Sequence, residues 1–152
     1  MNNGGVVVVH DHTKQVLHEL DGSTIIALEK IGLLAEAYAQ VELTKPKAHG
    51  DGSVRPNIET GLLRNSITHA IDGQAPAKRS YGSDDESKKG GYTGSAPKDK
   101  QGSRSVYIGT NVYYAPYVEM GTSRTKAYPF IKPAVEDHFE EYERIFFNTL
   151  GR

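Results

Sequence analysis

The sequence contains no cysteine and no tryptophan. The first absence excludes a disulfide framework, a thiolate nucleophile and a cysteine-ligated zinc site. The chain must then be held by its hydrophobic core. At 152 residues it is long enough, since a domain of about 150 residues buries roughly two thirds of its unfolded surface. A single domain spanning residues 1–152 is expected. Long apolar runs are also missing: nothing approaches the ~20 residues of a membrane-spanning helix. The start Met1-Asn2-Asn3-Gly4-Gly5 lacks a basic n-region, and Val6 to Val9 is too short for a signal h-region, so no secretory leader is expected. Neither charge sign is in excess. With 18 basic and 19 acidic residues the formal charge is -1, which provides no net field to draw in DNA, RNA or an anionic membrane.

Chemistry-bearing patterns are equally scarce. His10, His12 and His18 lie near one another, but no further ligand with metal-site spacing joins them, and His49, His69 and His138 are isolated. Gly90-Gly91-Tyr92-Thr93-Gly94-Ser95 lacks the Gly-Lys-Ser/Thr that cradles phosphate. No serine sits in a Gly-x-Ser-x-Gly elbow. Asp84-Asp85-Glu86 and Lys88-Lys89 fall in a soft segment and read as solvated charge. No catalytic residue, metal or cofactor is expected, and no enzymatic activity.

What is present is a pattern of elements. Val6 to His10 reads as a short strand. From Thr13 to Leu43, apolar residues recur at three and four, marking a helix. Asp21-Gly22-Ser23 is read as a break, with Ser23 capping the longer part. Gly32 inside that part suggests a close crossing or a sheet packed against it, and Lys45-Pro46 ends it. His49 to Asn57 is a loop, Gly61 to Asn65 a helical turn with Thr60 as N-cap, and Ser66 to Ile71 a strand. Asp72 to Ser103, rich in Gly, Ser, Lys and Asp, supplies too little apolar surface to offset its ordering entropy. It is expected to be a flexible loop or β-hairpin arm. Ser105 to Gly109 is a strand, Asn111 to Tyr114 a second extended piece, and Ala115 to Met120 a helical turn closed by Gly121 in the αL region. A last helix runs from Pro133 to Leu150, with Val135, Phe139, Tyr142, Phe146 and Leu150 on one face. The fold class is α+β: a small antiparallel sheet packed with a long N-terminal and a C-terminal helix.

Three segments carry more specific information. They are Thr60-Gly61-Leu62-Leu63-Arg64-Asn65-Ser66-Ile67; Val106 to Asn111 running into Tyr114-Ala115-Pro116-Tyr117-Val118-Glu119-Met120-Gly121-Thr122; and Pro129-Phe130-Ile131-Lys132-Pro133-Ala134. Their order and spacing resemble the minor tail-component or tail-completion family of neck proteins of long-tailed bacteriophages. The resemblance covers roughly Leu17 to Leu150, and the loops His49–Glu59 and Asp72–Ser103 are longer than in compact relatives.

The resemblance implies a structural virion protein that forms a ring, expected to be hexameric, at the head–tail joint or the top of the tail. Its partners would be copies of itself and neighbouring head-closure, tail-terminator or tail-tube proteins. DNA would at most pass through the lumen, and no membrane is involved. Synthesis and assembly would take place in the host cytoplasm. A tail terminator capping the tube is the alternative within the same class, and a small DNA-contacting phage protein one outside it. The candidate structural or subunit-contact residues are Thr60, Gly61, Leu63, Arg64, Ser66, Tyr114, Tyr117, Glu119, Gly121, Thr122, Pro129, Phe130 and Pro133. Glu119 is expected to hold Arg124 or Arg64, and the two prolines to set the angle of the last helix. The Tyr114–Thr122 turn and the Pro129–Ala134 corner are expected to pack together.

Overall fold

The computed structural model describes residues 13–49, 51–56, 61–71, 104–110 and 112–151. The expected strand at Val6–His10, the N-cap Thr60 and the Asp72–Ser103 arm lie outside the described residues. The elements run α1 (Thr13–Thr44), β1 (Pro46–Ala48), β2 (Val54–Pro56), α2 (Leu62–Ser66), β3 (Thr68–Ile71), β4 (Val106–Gly109), α3 (Ala115–Met120), α4 (Ile131–Glu136) and α5 (Phe139–Thr149). This is an α+β fold with a long N-terminal helix.

Helix α1 is the spine, and β3, β4, α4 and α5 all pack against it. Its inward face is built from small residues: Ala27, Ala35 and Ala39 are buried beside Leu28 and Leu43. Gly32 continues that face. A Cβ there would lie 2.4 Å from the His69 ring on β3 and 3.0 Å from Val106 on β4, so the glycine exists to let the sheet lie on the helix. The expected break at Asp21-Gly22-Ser23 is not found: α1 runs through it unbroken. Ser23, the expected cap, lies inside the helix, and Asp21 pairs with Arg104 at 3.0 Å. Thr24 returns its hydroxyl to the Leu20 carbonyl at 2.8 Å. A single exposed glycine costs a helix of this length only ~1 kcal/mol, too little to end it.

Strands β3 and β4 pair antiparallel, with Thr68 opposite Gly109 and Ile71 opposite Val106. The expected loop at His49–Asn57 instead supplies the turn and second strand of a further hairpin, in which β1 pairs with β2. Its turn is stabilised by the Asp51 carboxylate, which accepts from the Ser53 amide at 3.0 Å and its hydroxyl at 2.6 Å. The extended piece expected at Asn111–Tyr114 is a turn at Tyr113-Tyr114 that leads directly into α3.

The expected single last helix is two. The chain leaves helical geometry at Asp137-His138, where His138 has φ -116° and ψ 13°. The offset lets the His138 ring stack on Tyr38 of α1, centroids 3.5 Å apart and planes within 5°. Tyr38 also donates to Glu141 at 2.6 Å. The Ala134 carbonyl, which in a continuous helix would accept from residue 138, accepts from the Tyr142 hydroxyl instead, at 2.5 Å.

Candidate functional site

The three motif segments meet at the C-terminal half of α1. Leu62, Leu63 and Ile67 from the first, Val112 and Ala115 from the second, and Phe130 and Ala134 from the third form one core with Ala39 and Leu43. Phe130 and Ile67 are fully enclosed.

Polar side chains fix the segments to each other. Ser66, buried at the end of α2, donates to the Leu63 carbonyl at 2.7 Å and lies 2.5 Å from the Thr110 hydroxyl. Its single proton is used on Leu63, so Thr110 donates to Ser66. Thr110 in turn accepts from the Val112 amide at 3.1 Å. Glu119 joins the second segment to the third. One carboxylate oxygen accepts from the Phe130 and Ile131 amides at 2.7 and 3.0 Å, the other from Lys132 at 2.9 Å. These amides open α4 and have no partner within the helix, and a carboxylate is favoured at that positive end. Glu119 therefore does not hold Arg124 or Arg64, as expected from the sequence; the amide donors lie closer and are already fixed in place.

Between these segments runs a strap, Gly121 to Tyr128. The Tyr128 amide donates to the Val118 carbonyl at 2.7 Å and that of Thr122 to Thr125 at 2.8 Å. The Thr122 hydroxyl oxygen accepts from the Arg124 and Thr125 amides at 3.2 and 3.0 Å. Gly121 has φ 74° and ψ -177°. Its φ is positive as expected, but ψ places it in an extended region open essentially to glycine alone, not in αL. A Cβ there would stand 2.7 Å from the Ala127 nitrogen and 2.8 Å from the Thr125 oxygen. The expected αL conformation occurs instead at Gly61, φ 74° and ψ -4°, which is itself the N-cap of α2 without a side-chain cap. The β1–β2 hairpin closes the corner: Tyr128 donates to the Ala48 carbonyl at 2.8 Å and Lys47 to that of Pro129 at 3.1 Å.

Of the residues singled out by sequence, Leu63, Ser66 and Phe130 are buried; Gly61, Arg64, Tyr114, Glu119, Gly121, Pro129 and Pro133 are half-buried; Tyr117 and Thr122 are exposed. Most serve the fold. The surface left over is aromatic and apolar: Tyr113, Tyr117 and Met120 are 57%, 59% and 73% exposed. Tyr117 borders a recess of about 440 Å³ lined by His49, Tyr114, Tyr128, Arg124 and Lys126 among others. Neither Arg124 nor Lys126 forms an ion pair among the described residues. No family model, curated protein or solved structure matches the chain.

Two further features were missed in the sequence. A groove of about 340 Å³ lies between the middle of α1, β4 and α4–α5, with Val135, Phe139, Phe146 and Phe147 along its rim. The expected inward face of the last helix is thus only partly buried: Tyr142 is enclosed, but Val135 and Phe139 are 39% and 59% exposed. The second is His69, whose ring lies over Gly32 with Nδ1 2.9 Å from Glu36 and Nε2 3.2 Å from Glu29. The carboxylates stand at opposite edges of the ring and do not converge on a point. Among the described residues, no group of three or more His, Asp or Glu is placed to hold a metal ion. None of the described helices is long and apolar enough to cross a membrane. A glycine flanked by glutamates three before and four after, on the packed face of a helix, was the available signal for the His69 clamp.

Proposed function

We propose that this chain is a non-enzymatic structural subunit of a tailed-phage virion that joins copies of itself into a ring at the neck or the upper tail and so enables head–tail joining. The observation that supports this reading best is the division of labour in the motif corner. Side chains that fix the fold are turned inward and hydrogen-bonded, while Tyr117 and Met120 stand outward, 59% and 73% exposed. Tyrosine and methionine are enriched at subunit contacts. Helix α1 adds a second outward apolar series, with Ile26, Leu33 and Val41 each half exposed or more. A helix that is apolar on both sides suits burial on both sides, which a closed ring supplies.

The isolated chain is expected to be a monomer or weak oligomer that closes into rings at high concentration or with its neck and tail partners. Gold-labelled antibody raised against the chain should mark the head–tail junction of virions released by the strain that encodes it. Label confined to capsid or tail tip, or virions without label, would refute the reading.

A further inference from the structure

The chain carries two surfaces that fit each other. One is the outward side of α3: Tyr117 and Met120 share a helix face at i, i+3 spacing and are both largely exposed, with Arg124 and Lys126, which form no ion pair among the described residues, on the adjoining strap. From Gly121 to Phe130 there are two cations and no anion. The other is the groove over α1 and β4, whose open rim is Phe139 and Phe147. Here the charge is reversed. Ile131 to Gly151 carries five carboxylates against Lys132 and Arg144; Glu143 lines the groove, and Glu140, one turn earlier on α5, is exposed like it.

We infer that the α3 knob of one copy docks in the α5 groove of the next, with Arg124 and Lys126 facing Glu140 and Glu143. The pairing rests on the ring reading above and supplies its contact. The apolar parts match in kind, a protruding Tyr–Met cluster against an aromatic recess, and the flanking charges match in sign. The two surfaces share no residue, so the contact is head-to-tail. That is the type of interface that closes a ring when the rotation fits and extends as a filament when it does not. Opposite charges around an apolar centre select the partner and speed its encounter.

Because the chain has no cysteine, Met120→Cys and Phe139→Cys each introduce a unique thiol. When the two single variants, tagged to differ in mass, are mixed at high concentration and oxidised, the mixed disulfide should predominate. The double variant should give a ladder of oligomers. Arg124→Glu with Lys126→Glu should weaken self-association about tenfold or more, as should Glu140→Lys with Glu143→Lys. Mixing these two charge-reversed proteins should restore association, since every contact is again between opposite charges. Thermal melting of each variant separates loss of contact from loss of fold. Association that survives both reversals, or cross-links that join only Met120→Cys to itself, would overturn this pairing and leave a ring built through another surface. A chain that remains monomeric at every concentration, with no cross-link in any mixture, would overturn the pairing, whereas the ring reading falls only if antibody label is absent from the head–tail junction.

Discussion

The two halves of α1 meet very different surroundings. Around Ala39 and Leu43 the chain encloses Phe130 completely and satisfies the opening amides of α4 with Glu119. Around Ile31, Gly32 and Ala35 the same helix faces a groove open between β4 and α5. The first region is held by side chains that each have one geometry available. The second is held by a few contacts, His69 on Gly32 and Tyr38 on His138, with apolar surface left uncovered. One helix thus joins a closed corner that fixes the local fold to a flank whose apolar side chains stand exposed.

The sharpest way to break this contrast is Phe130→Ala. Truncating a fully enclosed phenylalanine costs about 3–5 kcal/mol, whereas Phe139→Ala on the open rim should cost well under half of that. Chemical denaturation of both decides it, and equal losses would contradict the division. Gly121→Val comes next. Backbone strain of about 1–3 kcal/mol adds to the displacement of Ala127, so the melting temperature should fall clearly. Glu119→Ala removes the acceptor of three amides and should cost about 1.5–3 kcal/mol, the range for bonds to a charged group. Amide exchange at Phe130, Ile131 and Lys132 should quicken in that variant, and unchanged exchange there would show that the carboxylate is not their partner.

How far these regions could be read from the sequence follows from the same difference. The closed corner was legible because each device depends on particular residue types: glycine where φ is positive, a hydroxyl at Ser66, two prolines around Phe130. Even so, the sequence suggests an arginine partner for Glu119, since sequence proximity does not reveal which donors are already fixed by the backbone. The break in the last helix was invisible for a related reason. Asp137-His138 carries no helix-breaking residue, and the offset comes from the tertiary stack of His138 on Tyr38. The opposite holds at Asp21-Gly22-Ser23, where the turn chemistry is outweighed by a helix that runs through it unbroken, with Asp21 paired to Arg104. The β1–β2 hairpin leaves little sequence signal because its strands are only three residues long and it is held by Tyr128 and Pro129, some eighty residues away.

The two described glycines of α1 turn that lesson into a finer test. Nothing lies within 4 Å of a Cβ built at Gly22, whereas one at Gly32 meets the His69 ring. Gly22→Ala should therefore stabilise the protein by about 0.5–1 kcal/mol through helix propensity. Gly32→Ala must push His69 away from Glu29 and Glu36 and should destabilise by about 1–3 kcal/mol, as overpacking does. Matched effects of the same sign would mean that the sheet does not rest on Gly32.

The smallest effect concerns the hinge between α4 and α5, where the closed corner passes into the open flank. Burial, with Tyr38 and Glu141 adding to it, pushes the Tyr142 phenol from its ordinary 10.0 up to about 12. Folding therefore favours the protonated phenol, which is also the form that donates to the Ala134 carbonyl. Below pH 10 the folded and unfolded chains both hold this proton, and its contribution to stability is fully present. Between pH 10 and about 12 the unfolded chain releases the proton while the folded chain retains it, so stability falls with rising pH. Tyr142→Phe should lose about 1 kcal/mol at neutral pH, the net worth of one hydrogen bond, and should then show a shallower decline across that alkaline window. Urea titrations of the two proteins at pH 8, 10 and 11 measure the difference directly. Parallel declines would show that the alkaline sensitivity arises elsewhere and that the phenol does not bridge the two helices as a proton donor.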